Sequence, residues 1–197
     1  MITYFVNNSK KSLTVKKQEQ KQFVVFLDQT TNFQLDVNLA GENSQAEILG
    51  IVIGNKKDII NLNSVQHHRQ KHTTSNLLIR SLLFDQASFS FSGLIRIEKE
   101  GNLSDAYQKN ESLLLSPLAR SEAKPYLEIL ARDVRCTHGA TLGTVNKEEI
   151  FYLTTRGLTQ QQAIKLIVEG YFQEMLDKIN DLKIREAISQ KISQKLM

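Results

Sequence analysis

The chain has 197 residues, of which 41% are hydrophobic and 23% are charged. This length and balance suit one globular domain, or one domain with an appendage, and exclude a disordered or fibrous chain. The formal net charge is +4, but residues 147–197 carry eight Lys or Arg against seven Asp or Glu, and there is no Trp. A nucleic-acid-binding protein concentrates positive charge on one face and offers aromatic rings, so no nucleic-acid partner is expected.

The only crowded lysines are those at 10, 11, 16, 17 and 21, which suit a solvated surface. A single cysteine, Cys136, cannot form an internal disulfide, which fits a reducing compartment. No apolar segment approaches the roughly 20 residues that a membrane span needs, and no signal-peptide pattern opens the chain. We therefore expect a cytoplasmic protein without a membrane partner.

Residues 1–143 show many short segments in which apolar side chains alternate with polar ones, the pattern of a β-strand. Short polar spacers separate them, and no helix of credible length interrupts them. The predicted strands are Phe23–Leu27, Phe33–Leu39, Ile48–Ile53, Asn76–Leu83, Ser88–Ile97, Ser112–Leu115 and Tyr126–Leu130. A sandwich, a barrel or a β-solenoid all fit this pattern. Closely spaced strand pairs that are apolar on one face favour the solenoid, although no clean repeat motif is present.

Residues 144–197 are predicted to be helical. Asn146 with Glu149, and Thr159 with Gln162, have the spacing of helix capping boxes. Gly157 suits a helix stop between the two. Apolar residues then recur at helical spacing in two stretches: Ile164, Ile167, Val168, Phe172, Met175, Leu176 and Ile179, and Ile184, Ile188, Ile192 and Leu196. This tail is too small for a core of its own, so the apolar residues must pack on the β region, a second copy or another protein.

Common enzyme motifs are absent. The sequence has no P-loop, no GxGxxG fingerprint, no GxSxG elbow and no HExxH zinc motif. No pair of carboxylates is distinguished for acid–base chemistry. We therefore expect a protein that is not an enzyme.

Two groups of residues have the chemistry of metal ligands. His67, His68 and His72 lie close together, but cationic neighbours oppose a dication and a polar turn explains the segment better. Cys136 and His138 are two residues apart, so on a strand they project from one face. A thiolate beside an imidazole suits iron or an iron–sulfur cluster, but two ligands do not complete a site. A buried cysteine and a hydrogen-bonded histidine remain the alternative explanation.

Five segments in this order and spacing resemble the SufB/SufD family of iron–sulfur cluster assembly proteins. They are His68–Ser75 (HRQKHTTS), Ser104–Ser116 (SDAYQKNESLLLS), Lys124–Ile129 (KPYLEI), Asp133–Gly143 (DVRCTHGATLG) and Glu149–Leu158 (EIFYLTTRGL). Residues 1–65 share only the general strand character. The resemblance implies a right-handed parallel β-helix, a single-stranded solenoid, over residues 1–143. A small helical region over 144–197 would follow it.

The resemblance also implies a place in a complex with a SufB-like subunit and the ABC-type ATPase SufC. In such complexes the C-terminal helices hold the ATPase and the two β-helices meet edge to edge. The SufB-like branch has its cluster-related cysteine near Asn110, where this chain has none. The Cys-x-His-Gly pattern at Cys136 favours the SufD-like branch, in which the histidine faces the partner scaffold. Family members are usually about twice as long, so this chain would be either a naturally short form or a fragment.

The resemblance makes Cys136 and His138 a candidate iron or cluster site shared at the subunit interface, with no cluster bound by the isolated chain. Without its SufB-like partner the chain is expected to self-associate through its edge strands. For the ATPase surface we expect Phe151, Tyr152, Arg156, Tyr171 and Phe172, because aromatics and Arg dominate interface energies. Ile150, Leu153, Ile164, Ile167 and Val168 should instead pack on the β-helix.

Two alternative functions remain open from the sequence. One is a β-solenoid enzyme that modifies sugars or transfers acyl groups. The other is a paralogue that kept the fold and binds a partner without cluster chemistry.

Overall fold

The computed structural model describes residues 2–7 and 10–196, and these form eleven strands followed by three helices. The strands are β1 (Ile2–Val6), β2 (Lys10–Val15), β3 (Gln20–Leu27), β4 (Thr31–Leu39), β5 (Gln45–Gly54), β6 (Ile59–His68), β7 (Thr74–Leu83), β8 (Ser88–Ile97), β9 (Ser104–Leu114), β10 (Arg120–Ile129) and β11 (Val134–Thr144). The helices are α1 (Lys147–Thr155), α2 (Gln160–Asp177) and α3 (Leu182–Lys195).

The strands alternate between two parallel sheets, which makes the chain a β-solenoid. Sheet A has the order β1-β3-β5-β7-β9-β11, and sheet B has the order β10-β8-β6-β4-β2. Each coil therefore contributes one strand to each sheet and stacks on the coil before it. The parallel β-helix predicted for the strand region is confirmed, as is a helical region after it.

Sheet B shows the alternation that made its strands recognisable in the sequence. On β4, Phe33, Leu35, Val37 and Leu39 are buried in the solenoid interior, whereas the intervening polar side chains face outward. Successive side chains of a strand point to opposite faces of the sheet. A sheet with one solvent-exposed face therefore alternates polar and apolar residues along each strand. The same period continues along β8.

Strands β3 and β5 of sheet A are apolar on both faces, and the C-terminal helices cover their outer side. Phe23, Val25 and Leu27 of β3 point into the solenoid, whereas Val24 and Phe26 point outward. The outward residues of β3, β5 and β7 join one apolar cluster with residues of α2, α3 and the segment between them, namely Val168, Phe172, Met175, Leu176, Ile179, Ile188 and Ile192. The predicted apolar spacing of α2 and α3 is thus explained by intramolecular packing.

The helices begin and end largely as their sequence signals indicate. Thr159 and Gln162 form a reciprocal capping box at α2, whereas the Asn146 side chain accepts a hydrogen bond from the Glu148 N–H at α1. Gly157 turns the chain with a φ of +94°. Ile150 and Leu153 were expected to pack on the solenoid, but this was wrong: α1 packs against α2 and has no buried residue.

At the corners between coils, residues other than glycine adopt the left-handed backbone conformation. Where sheet B leads into sheet A, the residues with positive φ are Gln18, Asn43, His72 and Leu103. Backbone bonds link successive corners, as in the His72 N–H to Asn102 carbonyl bond of 3.1 Å. This explains why no glycine repeat marks the coils in the sequence. β1, β2, β6 and β11 were not among the strands named from the sequence, because short or polar strands give no clear alternation.

Leu103 offers a test of the corner geometry, because its φ is +62° and its side chain is 52% exposed. The left-handed region costs a non-glycine residue about 1–2 kcal/mol, and Asn tolerates it better than Leu. We predict that Leu103→Asn raises the free energy of unfolding by about 1 kcal/mol in urea titrations. The matched control is Leu118→Asn, at a similarly exposed corner leucine (60%) outside the set of positive-φ residues. Equal effects of both changes would contradict the explanation.

Candidate functional site

The last coil of the solenoid forms an open end. Within the described part of the chain, β11 pairs only with β9 and β10 pairs only with β8. The interior of this coil is therefore not covered by a further coil. Leu127, Ile129 and Leu142 remain exposed there. A depression of about 590 Å³ lies beside Leu142 and is lined in part by Phe89 and Leu114.

Cys136 and His138 lie on β11 and point to the interior side of the open end. Cys136 is in register with Ala106 and His138 with Gln108, and both of these β9 residues are buried inside the solenoid. Their Cα atoms are about 6.6 Å apart, since a strand rises roughly 3.3 Å per residue. The two side chains thus share one face of a late strand. Their role as ligands stays a prediction.

The backbone of the same residues faces the free edge of sheet A. Alternate residues of a strand turn their N–H and C=O groups to opposite sides, and the Asp133 carbonyl accepts from the Leu103 N–H on the β9 side. The even-numbered residues of β11, Cys136 and His138 among them, therefore direct their polar backbone groups outward. β11 has no proline, whereas β10 contains Pro125. An added strand is accommodated more easily along β11, because proline removes one backbone donor.

The Cys136 thiol is protonated in the free chain. Burial raises the pKa of this thiol above its ordinary value, and the negative charge of Asp105 raises it further. Asp105 in turn forms a salt bridge with Arg135 on the outer face. Cys136 also packs beside Ile95, Ile97 and Ala106. His138, by contrast, is exposed. Because only a thiolate is a strong nucleophile or metal ligand, the free chain holds Cys136 in a less reactive form.

We predict that Cys136 reacts slowly with iodoacetamide at pH 7.5 in the folded chain, and that the rate keeps rising beyond pH 9. The reason is that the raised pKa leaves little thiolate at neutral pH. Intact-mass spectrometry gives the rate, and the chain in denaturant is the control with an unperturbed thiol. Folded and denatured chains that react equally fast at pH 7.5 would contradict this picture.

The three clustered histidines do not form a metal site. The prediction that His67 and His68 lie in a turn was wrong, since they end strand β6 and only His72 lies in the corner. His67 faces outward and contacts Glu98 at 2.7 Å, whereas His68 is fully buried inside the solenoid. No three His, Cys, Asp or Glu side chains of residues 2–7 and 10–196 converge as metal ligands.

His68 belongs to a buried hydrogen-bond network. Its Nδ1 contacts Thr73 Oγ1 and its Nε2 contacts Ser75 Oγ, both at 2.7 Å. Burial, and to a smaller extent the neighbouring His67, lowers the pKa of His68 to about 4. The imidazole is therefore neutral in the folded chain near neutral pH.

His68 predicts a loss of stability in acid. Its pKa is about 6.5 when unfolded and about 4 when folded, so its contribution is present above pH 6.5 and is lost as pH falls toward 4. We expect His68→Gln to remove about 2–3 kcal/mol of the difference in unfolding free energy between pH 7 and pH 4.5, at 1.4 kcal/mol per pKa unit. His72→Asn, at an exposed corner, is the control that should retain the wild-type pH dependence. Urea titrations at both pH values measure the difference.

The predicted partner surface on the helices is only partly exposed. Phe151 and Tyr152 of α1 are 70% and 57% exposed, and the Arg156 guanidinium lies 5.2 Å from the Tyr152 ring centroid. A groove of about 390 Å³ between α1 and α2 adjoins them, lined in part by Leu153 and Ile167. The prediction was wrong for the other two residues. Phe172 is fully buried against sheet A, and Tyr171 is largely buried beside it.

The burial of Tyr171 and Phe172 follows from the outer face of sheet A. Their rings pack edge to face at 5.1 Å, and the Tyr171 hydroxyl donates to the Glu111 carbonyl at 2.8 Å. Sequence spacing alone could not tell which face of α2 meets the solenoid. The useful signal was in the strands, where consecutive apolar residues in β3 and β5 require cover on both faces.

Sequence reasoning also missed the apolar rim of the open end and a charged cluster around Arg80. Arg80 is nearly buried and pairs with Glu111 of β9 and Glu174 of α2. A single arginine within a mostly apolar strand was the available signal.

None of the described helices is long and apolar enough to cross a membrane.

Fold and site together define a parallel β-solenoid protein with an open end and an appended helical region. A family model described as the SufBD core domain of the SUF system for FeS cluster assembly matches residues 5–171. The chain is 32% identical over 158 residues to the iron–sulfur cluster assembly protein SufD of Escherichia coli, covering 80% of this chain and 37% of the relative.

Two further relatives are iron–sulfur cluster assembly SufBD family proteins. The one from Synechocystis is 31% identical over 152 residues, which covers 77% of this chain and 34% of the relative. The one from Pyrococcus horikoshii is 32% identical over 139 residues, which covers 71% of this chain and 31% of the relative. The chain thus spans about a third of the length of these relatives. It belongs to the SufB/SufD family of iron–sulfur cluster assembly proteins and is a homologue of SufD.

Proposed function

We propose that this chain is a SufD-like, non-enzymatic subunit of a cytoplasmic scaffold for iron–sulfur cluster assembly. In this proposal the open end pairs with a SufB-like subunit and the helical region docks a SufC-like ABC ATPase. The observation that carries the proposal is the position of Cys136 and His138 on an edge strand that pairs on one side only. A ligand pair at an unpaired edge can be completed by another chain without any rearrangement of the solenoid.

The nascent cluster, or its iron, is the substrate of this site. Two ligands from one chain are too few to close an iron site, so the partner subunit supplies the others. Metal binding to Cys136 requires the thiol proton to leave, and the raised pKa of the free thiol opposes binding to the isolated chain. His138, which is exposed, offers a ring nitrogen without an equivalent burial cost. The arrangement favours loading in the complex over loading in the lone subunit.

The open end suits a protein partner for two reasons. Leu127, Ile129 and Leu142 form an exposed apolar rim that a partner would bury. The free edge of β11 presents backbone donors and acceptors that a partner strand would pair. When the SufB-like subunit is absent, the same features favour a self-dimer through β11. The proposed heterodimer and the self-dimer therefore compete for one surface.

The ATPase surface is proposed on α1, because its aromatic residues face away from the solenoid. Phe151, Tyr152 and Arg156 lie beside the groove between α1 and α2. Large exposed rings at the edge of a groove are suited to become interface anchors.

We predict that the double change Phe151→Ala and Tyr152→Ala weakens ATPase binding by at least ~2 kcal/mol, the usual threshold for a hot spot. Because both rings are exposed, thermal stability should stay near that of the wild type. Isothermal titration calorimetry and thermal unfolding measure the two effects. The contrasting variant is Phe172→Ala, which should cost about 3–5 kcal/mol of stability by leaving a cavity. Intact ATPase binding by the double variant would exclude α1 as the docking surface.

Co-expression with a SufB-like subunit and the ATPase tests the whole proposal. We expect all three chains to co-purify, with iron and sulfide bound by the complex and lost in Cys136→Ser or His138→Ala variants that still assemble. A complex that keeps its cluster in both variants would make this chain a partner-binding paralogue without cluster chemistry. Failure to co-purify with either chain would overturn the proposal and return attention to a solenoid enzyme.

A further inference from the structure

A charged cluster joins α2 to the solenoid at β7 and β9. Arg80 of β7 donates from Nε to Glu111 of β9 at 2.7 Å, and from its two terminal nitrogens to the Tyr171 carbonyl and the Glu174 carboxylate of α2. The Tyr171 hydroxyl donates to the Glu111 carbonyl at 2.8 Å. Lys109 pairs with the second oxygen of Glu111. We name Arg80, Glu111, Tyr171 and Glu174 the clamp.

The clamp differs in kind from the rest of the helix–sheet contact. On β3 and β5, α2 and α3 rest on fully buried apolar side chains such as Phe26 and Ile51. On β9 the outward side chains before Leu113 are Asp105, Tyr107, Lys109 and Glu111, none of which is buried. Hydrogen bonds are directional and fix one geometry, whereas apolar contact tolerates sliding. The attachment of α2 to β9 is therefore specific in position.

The clamp lies next to the open end. Glu111 is in register with Thr141 of β11, and three residues earlier on β9 Gln108 is in register with His138. β11 pairs with β9 and with no other strand among the described residues, so its position depends on β9. A change in the position of α2 therefore has a short, hydrogen-bonded route to the strand that carries Cys136 and His138.

We propose that the clamp is a conformational coupling device through which the position of α2 controls the local stability of β9 and β11. Tyr171 and Arg80 act as positioning residues in this device. They hold β9 and β11 in register while α2 is packed against the solenoid. When α2 is displaced, these two strands unfold locally more often. If the helices dock an ATPase, a use that rests on the proposed function, docking reaches the open end by this route.

Amide hydrogen exchange of the full chain, read by mass spectrometry on peptides covering residues 104–114 and 134–144, tests the coupling without any partner. Tyr171→Phe removes one hydroxyl and keeps the ring packing. We expect it to speed exchange in both peptides about fivefold, the factor that corresponds to one net hydrogen bond of about 1 kcal/mol. Arg80→Lys keeps the positive charge but loses the forked geometry, so it should produce at least the same increase.

Phe172→Leu is the matched control, because Phe172 is the neighbouring residue on the apolar side of α2. It should speed exchange within α2 and leave residues 134–144 less affected than Tyr171→Phe does.

Two results would overturn the coupling. One is unchanged exchange of residues 134–144 in both Tyr171→Phe and Arg80→Lys. The other is an increase in Phe172→Leu that equals the increase in Tyr171→Phe, which would mean that general loosening of the chain is being measured. Neither result depends on ATPase binding. Loss of the proposed function with an intact exchange effect would leave the clamp as a property of this chain alone.

Discussion

Parallel backbone pairing between coils is the interaction on which the rest of this structure depends. Each strand between the ends of sheet A or sheet B pairs with the strand two positions before it in the chain and the strand two positions after it. Such a ladder has no internal way to close, so the terminal strands keep unpaired donors and acceptors. At the β10 and β11 end, unpaired backbone and an apolar rim coincide with Cys136 and His138. The proposed ligand site and the proposed partner surface therefore arise from the same structural feature.

The position of the helical region also depends on the parallel pairing of the strands. A sheet of parallel strands is most stable with both faces covered, and sheet A has apolar side chains on both. Val24, Phe26, Leu49 and Ile51 would be exposed without α2 and α3. The helices are therefore part of the folded core. Among the three described helices, α1 rests on α2 and buries no residue, which is why the docking surface is proposed there.

The sequence indicated the solenoid through closely spaced strands such as β4, whose residues alternate cleanly, and it indicated the helices through Thr159, Gln162 and Gly157. It did not reveal β6, whose interior side chains change from Ile60 and Leu62 to Ser64, Gln66 and His68. A polar interior removes the period-two contrast on which strand recognition depends. His67 and His68 were assigned to a turn for the same reason.

The site was predictable only where one strand sufficed. Cys136 and His138 share a face because residues two apart on any strand do so. This face lies toward the interior of the open end because β9 pairs with β11. No local sequence pattern predicts that pairing. The burial of Phe172 likewise depends on contacts between elements far apart in the chain. Periodicity identifies the apolar side of α2 but not what covers it.

The solenoid interior changes from apolar in the early coils to partly polar near the open end. The early coils are filled by Phe23, Phe33 and their neighbours, whereas β9 contributes Ser104, Gln108, Asn110 and Ser112. Among the described residues, the side-chain oxygens of Gln66, Gln108 and Asn110 are buried without a protein donor. Buried polar atoms of this kind are ordinarily satisfied by internal water.

Gly93 shows how closely this polar interior is packed. A Cβ at this position would lie 2.4 Å from the Gln108 side-chain oxygen, so only glycine leaves room for that amide. Gln108 is in turn the residue in register with His138. On the β9 side the interior is therefore held by directional hydrogen bonds, whereas β8 contributes the buried apolar side chains of Phe89, Phe91, Ile95 and Ile97. Hydrogen bonds hold the register of β9 only while each donor and acceptor stays paired. β9 is also the strand that positions β11, which we propose pairs with another chain.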